Sequence, residues 1–177
     1  TDGVILASGL GKLQWGSGPM VEDGVLYYID SQPNGHTSRA LRLPETLDEP
    51  YTPELLWEVT PKADRYYASP IIKDGLIYAI TQGNVLTCLD AATGETVYEQ
   101  MLDLGKGAIF GSLVLAGDYL MIIHENGAGI VFRPGREYVE VAKNQLGDMV
   151  RSTPVFDGDL MYLRGYENLY CIGAVEG

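Results

Sequence analysis

The chain repeats one short motif at nearly regular intervals, and this repetition limits the folds that it can adopt. Residues 69–78, SPIIKDGLIY, return as residues 152–162, STPVFDGDLMY, and weaker copies lie at residues 18–27 and 111–121. The turn glycines of the four copies are 51, 42 and 41 residues apart, at Gly24, Gly75, Gly117 and Gly158. A period near forty residues is typical of arrays in which each repeat forms one supersecondary unit. The sequence therefore predicts a repeat array.

The second copy shows how one repeat is built. Four strand-like apolar segments follow one another, at residues 67–73, 76–81, 85–90 and 95–100. Tight turns at Asp74-Gly75 and Thr93-Gly94 suit antiparallel hairpins, because glycine readily adopts positive φ. Four antiparallel strands with short connections form one blade of a β-propeller. We therefore predict an all-β chain, a β-propeller of about four blades with four antiparallel strands each.

The copies divide the chain into three complete blades between two incomplete ones. We expect an outer hairpin of a preceding blade at residues 1–15, complete blades at 16–60, 61–104 and 105–146, and an incomplete last blade at 147–177. Because the chain starts at Thr1, without Met or a signal-like segment, we expect it to be a processed or truncated piece.

An open array of blades exposes two apolar faces and an unpaired strand edge, which favours association. We expect either two copies to join as an eight-bladed ring or a missing N-terminal half to complete the ring. Residues 12–15 are expected to supply the outer strand that the last blade lacks. Closure of four blades by one chain is the third alternative.

The two cysteines occupy matching places in their repeats. Cys88 and Cys171 each lie thirteen residues after the turn glycine of their copy, and Ile130 has the same offset in the copy between them. A position that takes Cys, Ile and Cys suits a buried strand. Thiols two repeats apart are too distant to form a disulfide. We therefore expect both cysteines to be unpaired core residues.

Composition and charge exclude several classes of partner. The chain has 24 acidic and 12 basic side chains, giving a formal net charge of −12. A surface this acidic repels phosphate groups, so we expect no nucleic-acid partner and no binding to anionic membranes. No apolar run approaches the roughly 20 residues that span a bilayer, so no membrane span is predicted.

A search for motifs of catalysis or cofactor binding finds only turns. Residues 9–11 and 127–129 begin like dinucleotide fingerprints but lack the final glycine. The Asp-Gly-Asp segment at residues 157–159 matches the Asp-Gly turn of the second copy better than it matches a calcium-binding loop. No paired-cysteine or His-Glu-x-x-His motif exists. We therefore predict no catalytic residue, no cofactor and no metal in this chain.

One group of loop residues converges on the same face of the predicted propeller. Links between blades and turns between second and third strands share that face, which we call the loop face. Arg65, Lys106 and Arg151 precede successive inner strands there, and Tyr66 and His124 join them. We interpret these five residues as a candidate site for an anionic ligand or an acidic peptide. The alternative is that they are solvated or locally paired loop side chains, with Tyr66 and above all Tyr67 packing between neighbouring blades.

The repeats resemble those of the pyrroloquinoline-quinone-like, or quinoprotein-like, propeller family. Residues 69–78 contain Ser-Pro followed by Gly-x-[Leu/Ile]-Tyr, and residues 86–95 read Leu-x-x-Leu-Asp-Ala-x-Thr-Gly-Glu. Residues 150–173 resemble the last blade of bacterial members. The resemblance implies half of a seven- or eight-bladed ring and a periplasmic or otherwise exported location. Tyr98, where the family has Trp, and the turn at residues 133–136 depart from the pattern.

The resemblance leaves two functions open. The first is a non-catalytic binding scaffold that docks a protein or a small ligand on the channel face. The second is the C-terminal fragment of a quinone-dependent oxidoreductase whose catalytic residues lie outside this chain. Such enzymes need adjacent cysteines and a calcium-ligand set, whereas neither Cys88 nor Cys171 has a cysteine neighbour. We expect the scaffold, and no enzymatic activity.

Overall fold

The structure is a computed structural model that describes residues 8, 17–30, 37–46, 50–61 and 64–174. All regular elements in these residues are strands, in four antiparallel sheets that we number as blades 1 to 4. Blade 1 comprises β1 (Met20–Glu22), β2 (Val25–Tyr28), β3 (Ser38–Arg42) and β4 (Glu54–Val59). Blade 2 comprises β5 (Ile71–Lys73), β6 (Leu76–Ile80), β7 (Val85–Asp90) and β8 (Thr96–Met101).

The remaining sheets complete the array. Blade 3 comprises β9 (Val114–Ala116), β10 (Tyr119–Ile123), β11 (Ala128–Arg133) and β12 (Val139–Gln145). Blade 4 has three strands within the described residues, β13 (Val155–Asp157), β14 (Leu160–Arg164) and β15 (Leu169–Gly173). Within each blade, neighbouring strands follow one another in sequence. The predicted all-β propeller fold is confirmed.

Apolar clusters join consecutive blades face to face. The first lies between blades 1 and 2 and includes Tyr27, Trp57 and Ile77. The second, between blades 2 and 3, is larger, and a third cluster lies between blades 3 and 4. Side chains alternate between the two faces of a strand, so each central blade packs on both of its neighbours. We call the face toward the following blade the forward face, and the opposite one the rear face.

The innermost strand of blade 2 is shorter than the sequence predicts. The apolar run at residues 67–73 predicts a seven-residue strand, but β5 covers only Ile71–Lys73. Pro70 has no N–H for a ladder, and the N–H of Ser69 donates instead to Ser112 Oγ of the next blade, at 3.1 Å. The first half of the predicted strand therefore connects blades.

The hairpins between the first two strands use two kinds of turn. In blades 1 and 2 both central residues have positive φ, 52° at Asp74 and 72° at Gly75 in blade 2, which is the pattern of a type I′ turn. In blades 3 and 4 glycine stands first, with φ of 59° at Gly117 and 57° at Gly158, and the following aspartate has no positive φ. An alignment of the repeats on these glycines therefore places blades 3 and 4 one residue out of register with blades 1 and 2.

This shift corrects the predicted equivalence of the cysteine positions. Cys88 pairs opposite Tyr78 and Cys171 opposite Tyr162, so the two cysteines do occupy matching positions. In blade 3 the same position, opposite Met121, belongs to Val131 rather than to Ile130. Ile130 lies on the rear face and packs toward blade 2.

The expectation that both cysteines are buried holds for Cys88 alone. Its side chain is 0% exposed, whereas Cys171 is exposed, and both thiols are unpaired. The forward face of blade 2 is covered by blade 3, but no described residue covers the forward face of blade 4. The two cysteines therefore differ in exposure because blade 2 lies inside the array, whereas blade 4 lies at its end.

Two of the predictions stay open. The predicted hairpin at residues 1–15, and with it the strand at 12–15, lies outside the described residues apart from Ser8. The residue boundaries given for the blades stay a prediction, although the four sheets fall within them. Among the described residues, no helix could cross a bilayer.

Candidate functional site

The five predicted site residues lie in loops of the loop face, but they differ in exposure. Arg65, Lys106 and Arg151 are exposed, whereas Tyr66 and His124 are buried. Tyr66 belongs to the apolar cluster between blades 1 and 2, and burial raises its pKa above the ordinary value. This packing agrees with the structural alternative for Tyr66.

A series of hydrogen bonds links the innermost segments around the array. The N–H of Gly18 donates to Ser69 Oγ at 2.9 Å, and that of Ser69 donates to Ser112 Oγ. The N–H of Ser112 donates to Thr153 Oγ1 at 2.9 Å. These four residues are equivalent in their blades, and each hydroxyl satisfies a donor of the preceding blade. We call this series the hydroxyl series.

Three planar side chains form a stack beside the hydroxyl series. Tyr67, Phe110 and Arg151 each lie two residues before a hydroxyl residue. The rings of Tyr67 and Phe110 are 5.3 Å apart at an interplanar angle of 10°. The guanidinium of Arg151 lies 4.7 Å from the centroid of Phe110, within cation–π range. The stack crosses from blade 2 to blade 4 at the loop face.

Glu125 holds the last member of this stack. Its Oε2 accepts hydrogen bonds from Arg151 at 3.1 and 3.3 Å, and its Oε1 accepts the N–H of Ala108 at 2.7 Å. The Glu125 side chain is only 18% exposed, so the pair is partly withdrawn from water. The loop that carries Lys106 is therefore fastened beside Arg151.

His124 packs under this loop. Its Nδ1 accepts the N–H of Asn126 at 3.2 Å, while its buried Nε2 has no partner within the described residues. Gly107, with φ of 131°, leaves the space, because a Cβ there would lie 2.7 Å from His124 Cε1. Blades 2 and 4 have Asp64 and Asp148 at the position of Gly107.

Those two aspartates close turns instead. Asp64 Oδ2 accepts the N–H of Gly83 at 3.0 Å. Asp148 accepts the N–H groups of Glu167 and Asn168, together with the hydroxyl of Tyr170 at 3.1 Å. Partial desolvation would raise the pKa of Asp148, but these donors outweigh it and lower the pKa below its usual value.

An open cavity of about 330 Å³ lies beside Arg151 at the end of the array. It is lined by Met149, Arg151, Ser152, Arg164, Gly165 and Tyr166. Ser152 Oγ donates to the carbonyl of Arg164 at 2.7 Å, which connects the two arginine-bearing segments. Two arginine residues thus line one cavity, and the guanidinium group is chemically suited to binding a carboxylate or phosphate group.

The structure thus divides the predicted residues into two parts. The loop of Lys106 and the side chains of His124 and Arg151 come together around Glu125, whereas Arg65 and Tyr66 lie at the junction of blades 1 and 2. Sequence reasoning missed Phe110 and Arg164, whereas it expected Tyr67 to pack between neighbouring blades, as its stacking on Phe110 shows. The constant offset from the hydroxyl residues was the signal that could have identified the stack.

Metal binding has no support in the described part of the chain, where no group of three metal-ligating side chains occurs. No protein-family model matches the sequence, and no curated protein matches it by sequence. Solved structures do match the fold, at low sequence identity.

BamB from Moraxella catarrhalis superposes with a TM-score of 0.62 and 10% identity over 88% of this chain and 41% of its own. The quinohemoprotein alcohol dehydrogenase from Comamonas testosteroni gives a TM-score of 0.62 and 18% identity over 87% of this chain and 29% of its own. The chain therefore spans less than half the length of either protein.

A computationally designed protein, Ika4, matches over nearly its entire length. Its TM-score is 0.65 at 12% identity, covering 97% of this chain and 99% of Ika4. Together with the four sequential sheets, these similarities confirm the resemblance at the level of fold. The chain has the quinoprotein-like β-propeller fold.

Proposed function

We propose that this chain is a non-catalytic propeller scaffold that binds an acidic peptide or a small anionic ligand on its loop face. The observation that carries the proposal is the cavity that Arg151 and Arg164 line together. In a chain with a formal net charge of −12, this concave surface brings two arginine residues together, of which Arg151 is paired with Glu125 and Arg164 adds a further positive charge. Arg65 and Lys106 would add positive charge along the same face.

The stack and the Glu125 ion pair support this proposal. Phe110 and Glu125 fix the position of Arg151, so a ligand would meet an oriented guanidinium. A ligand carboxylate would compete with Glu125 for the donors of Arg151 or share them. Tyr166, which is highly exposed, would contribute a flat contact at the rim.

The test measures binding of a fluorescent oligoglutamate peptide, and of citrate as a small competitor, to Arg151→Ala and Arg164→Ala. We expect each variant to lose about tenfold in affinity, because each removes a charge-assisted contact. Arg133→Ala is the matched control, since Arg133 ends β11 on the opposite face and contacts Tyr119. Equal affinity of all four proteins, or no binding at low salt, contradicts the proposal.

We also propose an exported, periplasmic location, which rests on the resemblance of the repeats to bacterial quinoprotein-like proteins. Completion of the ring, by a second copy or by a missing N-terminal half, belongs to the same proposal. The exposed apolar residues of blade 4 support an association of this kind.

The second candidate function is a fragment of a quinone-dependent oxidoreductase. It is favoured by the similarity in fold to quinohemoprotein alcohol dehydrogenase, of which the chain covers 29%. The full-length gene product distinguishes the two functions. Adjacent cysteines and a calcium-ligand set outside this chain, with a change in quinone absorbance when pyrroloquinoline quinone and calcium are added to that product, would favour the oxidoreductase, and their absence would favour the scaffold.

A further inference from the structure

A second cavity, of about 290 Å³, lies between the forward face of blade 3 and the rear face of blade 4. It shares no lining residue with the cavity beside Arg151. No aromatic or charged residue lines it among the described parts of the chain. Its apolar walls are formed by Met121, Ile123 and Leu146 on one side and by Met161, Leu163 and Ile172 on the other.

The third junction lacks a large side chain that fills the other two. The strand register places Trp57 of blade 1, Tyr98 of blade 2 and Ala142 of blade 3 at equivalent positions of the outer strand, on the forward face. Trp57 reaches blade 2, where its Nε1–H donates to the carbonyl of Ala91 at 2.9 Å. Tyr98 reaches blade 3, with its ring centroid 6.5 Å from that of Tyr138. The methyl group of Ala142 leaves this space open at the junction with blade 4.

A glycine in the neighbouring strand enlarges the same space. Gly129 occupies the position that the fully buried Leu86 holds in blade 2. Its φ is not positive, and a Cβ on it would meet its nearest neighbours at 3.7 to 3.9 Å, which are ordinary van der Waals distances. Neither the backbone conformation nor a close approach therefore requires glycine here. Its effect is to leave the volume of a leucine side chain unfilled.

Flexible side chains line the middle of the cavity. Met121 stands where blades 1 and 2 have Tyr27 and Tyr78, and Met161 of blade 4 stands where blade 3 has Leu120. Methionine is unbranched and has a polarizable thioether, so it adapts to the shape of an apolar neighbour. The walls can therefore adjust to an apolar guest without a change in the sheets.

The size and lining of the cavity indicate the class of guest. A cavity of about 150 Å³ lined by apolar side chains stays dry and binds benzene, and this cavity is about twice as large. Its volume suits an aliphatic chain of about eight carbons. A charged group would lose its hydration between these walls without gaining a partner. An uncharged alkyl chain is therefore favoured.

Two amide side chains mark the rim. Asn144 and Gln145 line the cavity and are exposed to solvent. Gln145 Nε2 donates to the carbonyls of Asn126 and Leu146 at 2.8 Å each, which holds its side chain in place. The Asn144 amide can both donate to and accept from a small polar group. The formal net charge of −12 disfavours an anionic head group, so a neutral one is expected.

We propose that the cavity between blades 3 and 4 binds a neutral aliphatic amphiphile. The alkyl chain lies between the two methionines, and a hydroxyl or amide head group meets Asn144 at the rim. Each methylene group that leaves water for the cavity adds to the affinity. This site depends on the packing of blades 3 and 4 and is independent of the anionic ligand proposed above.

Methionine methyl groups provide a readout at the site itself. The chain has five methionines, of which Met121 and Met161 line this cavity and Met149 lines the one beside Arg151. Titration of methyl-¹³C-methionine protein with 1-octanol, followed by NMR, should shift the Met121 and Met161 signals saturably. The signals of Met20, Met101 and Met149 should stay in place. Shifts at all five methionines, or at none, contradict the proposed site.

Chain length and head group test the class of ligand. From 1-pentanol to 1-octanol the affinity should rise about fourfold with each added methylene, because each one is buried in the cavity. Octanoate, which has an anionic head group, should bind at least threefold more weakly than 1-octanol. An affinity that does not depend on chain length contradicts the apolar cavity as the binding site. Equal or tighter binding of octanoate contradicts the neutral head group.

Filling the cavity should abolish binding without harm to the fold. Gly129→Leu restores the residue of blade 2 and should lower the affinity for 1-octanol at least tenfold, while the urea midpoint of unfolding rises. Ala142→Tyr fills the space from the outer strand and should have the same effect on binding. Thr96→Leu is the matched control, since it adds a leucine at an exposed position of the outer strand of blade 2.

Unchanged octanol affinity in a folded Gly129→Leu protein would contradict the proposal, because binding would then occur on another apolar surface. If Gly129→Leu lowers stability, Ala142→Tyr decides by the same criterion. The anionic-ligand experiment reads peptide affinity at Arg151 and Arg164, whereas this one reads Met121 and Met161, so the two proposals fail separately.

Discussion

At the scale of single residues, equivalent positions acquire different properties from their neighbours. Cys88 lies beneath blade 3, and burial raises the pKa of its thiol to about 11. The turn at residues 133–136, which departs from the family pattern, contributes to this cover. Gly135 donates its N–H to the Tyr78 hydroxyl at 2.7 Å, and Arg136 pairs with Asp90 at 2.9 Å. The turn at residues 133–136 therefore connects blade 3 to blade 2.

The raised pKa of Cys88 predicts a loss of stability in alkali. A thiol whose pKa is higher in the folded state than its usual 9.0 stabilises the fold fully below pH 9. That contribution disappears as the pH rises toward 11. Tyr78 acts in the same direction, since burial raises its pKa to about 12. Urea unfolding followed from pH 8 to pH 11 should show this decline.

Cys88→Val is the matched variant, because Val131 fills the equivalent position in blade 3. We expect its free energy of unfolding to fall less steeply between pH 9 and pH 11 than that of the wild type. Parallel pH profiles for the two proteins would show that the Cys88 thiol is not the titrating group.

At the scale of elements, the innermost segments connect blades as well as forming sheets. Each of β5, β9 and β13 has three residues, and the residues before them carry the hydroxyl series and the stack. Serine and threonine suit this position, because one short hydroxyl accepts a backbone N–H without filling the centre of the array. The contacts between blades therefore combine apolar packing with directed hydrogen bonds.

Removal of one hydroxyl tests this connection. Ser112→Ala leaves the N–H of Ser69 without its acceptor and should lower the free energy of unfolding by about 1 kcal/mol. Ser112→Thr keeps an acceptor, as Thr153 does in blade 4, and should be close to the wild type. Urea denaturation measures both. Equal losses in the two variants would indicate packing rather than the hydrogen bond.

At the scale of the whole molecule, burial is greatest at the centre of the array and falls toward blade 4. All five residues of β6 are buried, whereas β15 has none that is fully buried. Blade 2 has a sheet on both faces, and blade 4 has one on its rear face alone among the described residues. In a repeat array each blade depends on its immediate neighbours for stability.

This gradient predicts unequal protection of backbone amides. Hydrogen exchange followed by mass spectrometry should be at least tenfold slower in peptides covering residues 76–90 than in those covering residues 160–173. Uniform exchange across both segments would mean that the array unfolds only as one unit.

The sequence determined the repeat, the antiparallel strands and the convergence of links and turns on one face. These features depend on neighbouring residues, since a Gly-containing turn and an alternating apolar pattern specify a hairpin locally. The tertiary structure alone decided that Cys171 is exposed, that Ile130 lies on the rear face, and that Tyr67, Phe110 and Arg151 stack. Each of these depends on a segment about forty residues away, in another blade, and local patterns carry no information on whether such a neighbour is present.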